Sequence, residues 1–150
     1  MVLFQIIVIN VCAHCKHDKF YNAEAKQDAL KIAFAVLRSF ENDKFDTIYG
    51  STYATLLRAT ENLMPKCEAR DDIVKAIFAK VSSAGLVEEN LAHQVLALCS
   101  DISVASEIFG NALAEADVSG QKHTGRMVVH TDKLPSEWTR NTSKTNQWLF

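Results

Sequence analysis

Between Ser51 and Leu113 the chain reads as four amphipathic helices in succession, with no strand between them. The first is S-T-Y-A-T-L-L-R-A-T-E-N-L-M, with Tyr53, Leu56, Leu57, Thr60, Leu63 and Met64 on one face. That spacing is the i, i+3, i+4, i+7 rule of a helix buried on one side. Pro65 ends it, because proline lacks the N–H that a helix interior needs. Asp71 and Asp72 are expected to open the second helix, where acids suit the positive end of the macrodipole. Its stripe is Ile73, Val74, Ile77, Phe78 and Val81, and Gly85 closes it. Glu88 and Glu89 start a third helix striped by Leu91, Val95, Leu98 and Cys99. Ser100 or Asp101 caps a fourth, striped by Ile102, Ala105, Ile108 and Phe109. Paired helices of this kind describe a scaffold that binds, not a pocket that reacts.

The flanking segments fit the same plan. M-V-L-F-Q-I-I-V-I-N-V-C-A holds 11 apolar residues in its first 13. No Lys or Arg precedes it, as an export signal would require. A membrane span needs about 20 apolar residues, so the run is too short. It is expected to be a helix covered on more than one face. Its abrupt start, without a cap, points to an ordered fold that once extended further toward the N-terminus. K-H-D-K-F-Y-N-A is a polar connection, and Asn22 is the expected N-cap of a long helix at 23–41. Ala29, Leu30, Ala33, Phe34, Leu37 and Phe40 stripe that helix. E-N-D-K-F-D then forms a charged loop.

Charge divides the chain. The first 117 residues carry 11 basic and 16 acidic side chains, and the last 33 carry five and two. The helical body is therefore acidic and the tail basic, and the body lacks the overall basic footprint usual in nucleic-acid binders. Within residues 118–150, S-G-Q-K-H-T-G-R reads as a loop. M-V-V-H favours strand but is too short to make a sheet alone. Pro135 interrupts the final, mixed segment, in which Trp138 and Trp148 are candidate anchors. The expectation is a basic, partly ordered tail, the alternative a tail docked along a helical groove.

No chemistry-bearing constellation stands out. Cys12, His14, Cys15 and His17 crowd six residues, but a zinc site needs a second half-site, and Cys67, His93 and Cys99 lack that spacing. Neither a metal nor a disulfide is expected. There is no G-x-S-x-G elbow, P-loop or G-x-G-x-x-G. His123 and His130 lie in the tail. The chain is read as a non-enzyme without cofactor or small-molecule substrate.

Helix pairs invite a search for internal repeats. V-I-N-V-C-A at 8–13 parallels L-L-R-A-T-E at 56–61, and I-A-F-A-V-L at 32–37 parallels A-I-F-A-K-V at 76–81. T-Y-A-T-L-L-R-A, a second helix and an A-G-L-V-E-E-N turn together resemble a pentatricopeptide repeat. V-I-N-V-C-A-H-C also resembles the end of that family's first helix. The likeness spans about residues 4–113 and is strongest at 51–86. It implies an α-solenoid that binds RNA, in a mitochondrion or plastid, although no clear targeting segment is present. In that family a polar residue after the T-Y pair faces an RNA base. The matching residues are Ala54, Ile6 and His93. Ala54 and Ile6 cannot hydrogen-bond a base through their side chains. Arg58, four residues after Ala54, is placed to meet a phosphate.

The resulting expectation is an all-α fold, a short α-solenoid of about three antiparallel helix hairpins over residues 1–117, followed by the tail at 118–150. Its function is expected to be non-enzymatic binding of single-stranded RNA in organellar RNA metabolism. The alternative is a protein–protein adaptor on the same scaffold, with no membrane role in either case. A positive stripe along the concave face would favour RNA, and an apolar groove a peptide or helix.

Overall fold

The computed structural model describes residues 2–14, 23–42, 48–116 and 126–142. The chain is mostly helical. Helices α1 (Val2–His14), α2 (Ala23–Asn42), α3 (Gly50–Leu63), α4 (Glu68–Ala84), α5 (Glu89–Leu98) and α6 (Ile102–Phe109) are followed by strands β1 (Leu113–Glu115) and β2 (Met127–Val129). A one-turn helix, α7 (Ser136–Thr139), ends the described chain. The expected Asn22 cap, the Cys15 and His17 ligand candidates, His123 and Trp148 lie outside the described residues, as do the side chains of Ile6 and Phe40. No described helix is long and apolar enough to cross a membrane.

Helix α3 is the hub, packing against α1, α2, α4 and α5. Its stripe Tyr53, Leu56, Leu57, Thr60 and Leu63 is buried. Thr60 satisfies its hydroxyl by donating to the Leu56 carbonyl at 3.0 Å, so a polar residue survives in the core. Asn62, near the helix end, donates its side-chain amide to the Ala13 carbonyl and ties α3 to the end of α1. Ile9, Cys12 and Ala13 of α1 and Leu30, Ala33 and Leu37 of α2 complete the core on that side.

Helix α4 begins at Glu68, earlier than the acidic pair Asp71–Asp72 implied. Asp72 is exposed, whereas Asp71 is buried and serves a longer-range contact. It accepts the Ser100 N–H at 2.9 Å and the Ser100 hydroxyl, fixing the α5–α6 connection. Asp101 is the N-cap of α6 and accepts from the N–H groups of Ser103 and Val104. These hydrogen bonds, that of the Ser103 side chain first, hold its carboxyl below the usual range. Ile102, expected on the buried stripe, is 50% exposed. It is the first helical residue and turns to solvent, leaving Ala105 and Phe109 to make the buried contacts.

The segment after α6 joins the body. β1 and β2 pair antiparallel, with Leu113 opposite Val129, Ala114 opposite Val128 and Glu115 opposite Met127. β2 packs on α5, and α7 on α4. Gly85 ends α4 at φ 71, and Leu86 N–H returns to the Val81 carbonyl at 3.1 Å. The last α4 carbonyls find partners 57 residues on. Arg140 donates to Ser83 O at 2.6 Å, Asn141 Nδ2 to Ala84 O at 2.7 Å, and Asn141 N–H to Gly85 O at 2.9 Å. A cation at a helix C-terminus also complements the macrodipole. Trp138 meets Phe78 edge-on at 5.3 Å, and Phe78 meets Phe109 at 5.2 Å. Residues 126–142 thus form a docked cover over the ends of α4 and α5.

Candidate functional site

Two surfaces qualify. The first lies along α3 and α5, which carry Ala54, Arg58 and His93. Helices α3 and α5 lie side by side, and Gln94 of α5 donates its side-chain amide to the Ala54 carbonyl of α3 at 2.8 Å. Tyr53, next to Ala54, is buried, and burial raises its phenol pKa, with the negative charge of Glu41 adding to the effect. Ala54 is half-buried, Arg58 is exposed one turn later, and His93 is half-buried beside Gln94. Ile6 belongs to α1.

His93 lines a niche of about 340 Å³ with Leu96, Arg126 and Met127, so β2 brings a second basic residue to α5. No local pattern announces that pairing, because His93 and Arg126 belong to separate elements. Charge on this face is sparse. The exposed charges of α3 and α5 are Arg58, Glu61 and Glu89, and Glu61 lines the α2–α4 groove, so Arg58, Glu89 and Arg126 remain.

The second surface is a groove of about 1480 Å³ lined by α2, the end of α3 and α4. Lys80 Nζ and Glu41 Oε1 meet at 2.6 Å and join α2 to α4 at one end. The side chains are partly exposed, so the pair contributes about 0–1 kcal/mol. Leu30 and Phe34 of α2, Leu63 and Met64 at the end of α3, and Ile73 and Ala76 of α4 make the apolar lining. Lys26, Lys31 and Arg38 outnumber Glu61 on its rim, with Lys31 paired to Asp28 at 3.2 Å. Ordinary small-molecule sites span roughly 300–1,000 Å³, so the groove matches a peptide segment better than a metabolite.

The sequence holds one trace of this groove. The apolar arc expected for α2 is wider than one core face can use. The structure divides it, with Leu30, Ala33 and Leu37 in the core and Phe34 half-buried in the groove. Ile73 is divided from the α4 stripe in the same way.

Thiol and metal chemistry are subordinate. Cys12 and Cys99 are buried free thiols, and Cys67 is an exposed one on the groove wall. Burial, with Asp71 nearby, pushes the Cys99 thiol up to about 11. The His14 ring shares its Nδ1 with the Asn10 carbonyl at 2.7 Å. Among the described residues no cluster of three His, Cys, Asp or Glu side chains is placed to hold a metal ion. No protein-family model, curated protein or solved structure matches this chain.

Proposed function

We propose that this chain is a non-enzymatic helical-repeat binding module, a short α-solenoid, whose ligand is an amphipathic helix or extended segment of another protein. The order of helix contacts supports the solenoid reading. α1 touches α2 and α3, α3 touches α4 and α5, and α4 touches α5 and α6. Repeat arrays have this property, each unit meeting only its neighbours. The observation that carries the ligand class is the α2–α4 groove, with its apolar lining, its basic rim and a volume beyond ordinary metabolite sites. A helix laid in a groove presents anchors at i, i+3 and i+7 to such a lining, and acidic flanks would suit Lys26 and Arg38.

RNA is the second reading. The pentatricopeptide resemblance and the meeting of His93 and Arg126 in one niche favour it. Binding there would be weak, because nucleic-acid affinity rests largely on phosphate neutralisation and this face carries few cations. A mitochondrial or plastid setting belongs to this second reading.

The experiment is a selection of displayed amphipathic peptides against the full chain, with Phe34→Glu as counter-target, beside anisotropy titrations with several unrelated RNAs at two salt concentrations. The proposal expects peptides that bind the wild type and not Phe34→Glu, and RNA binding that fades steeply with salt. Salt-tolerant preference for one RNA sequence, reduced by Arg58→Ala or His93→Ala, would replace it with the RNA reading.

A further inference from the structure

The core side of α5 is Leu91, Ala92, Val95 and Leu98, all buried, whereas His93 and Leu96 are half-buried and Ala97 is exposed. Three and four residues apart, His93, Leu96 and Ala97 share one face of the helix. β2 lies against α5. Arg126, just before β2, is held by its own carbonyl, which accepts the Ala116 N–H at 2.8 Å. The two elements bound the niche of about 340 Å³, where Leu96, Ala97, Met127 and Val128 make an apolar lining around His93 and Arg126. Among the described residues, none that lines it is acidic, and neither His93 nor Arg126 forms an ion pair. Glu89, one turn before His93, lines a separate depression at the start of α5.

We propose that this niche binds a small apolar carboxylate, presented by a free acid or by the C-terminal residue of a peptide. Arg126 and His93 hold the carboxylate, and Leu96 and Met127 cover the apolar body. Three features select that ligand. The guanidinium fork matches the two oxygens of a carboxylate, and a ring N–H of His93 is a further donor. The apolar lining favours a single charge, because each charge taken out of water must be compensated. The volume lies at the lower end of small-molecule sites, so it suits a body of one side chain. The niche and the α2–α4 groove share no lining residue, so this site stands whether or not the groove takes a peptide.

An NMR titration of the labelled full chain tests this, with N-acetylleucine as the acid, N-acetylleucinamide as its uncharged match and inorganic phosphate as a bare anion. The acid should give saturable shifts at His93, Leu96 and Met127, with Phe34 and Ile73 of the groove unmoved. The amide should bind about tenfold more weakly, because it loses the charge-assisted hydrogen bonds. Arg126→Gln should weaken the acid about tenfold and leave the amide unchanged. Arg126→Lys, which keeps the charge without the fork, should fall between. Arg126 is exposed, so both variants should keep the wild-type circular dichroism. Should either misfold, His93→Gln decides instead and should also weaken the acid alone. A tripeptide ending in leucine separates the sources. Tighter binding than the free acid supports the site as a reader of peptide C-termini, and weaker binding supports it as a site for free acids. Equal affinity for acid and amide, indifference to Arg126→Gln and His93→Gln, or no saturable shift from acid or tripeptide overturns the proposal. So does displacement of the acid by an equal concentration of phosphate or of a short single-stranded RNA.

Discussion

Asp71 on α4 holds Ser100 at the α5–α6 connection through both the backbone N–H, at 2.9 Å, and the hydroxyl. One buried carboxylate thereby fixes the connection that leads into α6, 29 residues further along the chain. Replacing it removes two hydrogen bonds to a charged acceptor, a loss of about 1.5–3 kcal/mol, softened by water at the exposed Ser100. Asp71→Ala should lower the urea midpoint accordingly, and Asp72→Ala, at an exposed position, should stay within about 0.5 kcal/mol of wild type. Equal effects from the two would refute the assignment.

Phe78 sits between Phe109 and Trp138, so one ring joins α4, α6 and α7. Phe78→Ala should cost about 3–5 kcal/mol. In a Trp148→Phe background it should also shift Trp138 emission to the red as α7 loosens. Stability loss without a spectral change would mean that α7 does not depend on this stack.

Gly85 has a left-handed backbone, and a Cβ there would come within 2.6 Å of the Arg140 side chain and 3.1 Å of the Glu137 carbonyl. Gly85→Ala therefore combines conformational strain, about 1 kcal/mol, with displacement of Arg140. We expect faster hydrogen exchange at Val87 and Asn141, whose N–H groups bond to the Trp138 and Gly85 carbonyls. Unchanged exchange would show that α7 tolerates the added carbon.

The thiols should separate in rate. Exposed Cys67 should react with an aromatic disulfide far faster than buried Cys12 or Cys99. Burial pushes the Cys99 thiol from its ordinary 9.0 up to about 11, so its protonated form belongs to the fold. Its contribution is complete below pH 9 and falls as pH rises toward 11, because the unfolded chain ionises first. Cys99→Ser should flatten that part of the alkaline stability curve. Tyr53, also raised, acts in the same direction at higher pH. An unchanged curve would count against the burial argument.

The helices are legible in the sequence because local punctuation marks them. Pro65 follows the end of α3, Gly85 turns the chain after α4, and Asp101 caps α6. What stays hidden is non-local. Nothing near Asp71 announces Ser100, and nothing near Ser83 or Ala84 announces Arg140 and Asn141. The short M-V-V run gains a strand partner only because Leu113–Glu115 is brought beside it. The groove is present only as excess apolar width on α2. Ala54, Arg58 and His93 stand out only through the resemblance to pentatricopeptide repeats, and the proposal of RNA binding at them rests on it.

The direct test of the binding account is an NMR titration of the labelled full chain with a selected amphipathic peptide and, separately, with a short single-stranded RNA. Peptide-induced shifts should concentrate at Leu30, Phe34, Met64 and Ile73, with small, salt-sensitive shifts from RNA. Saturable RNA-induced shifts centred on Ala54, Arg58 and His93, with the groove silent to peptide, would contradict it.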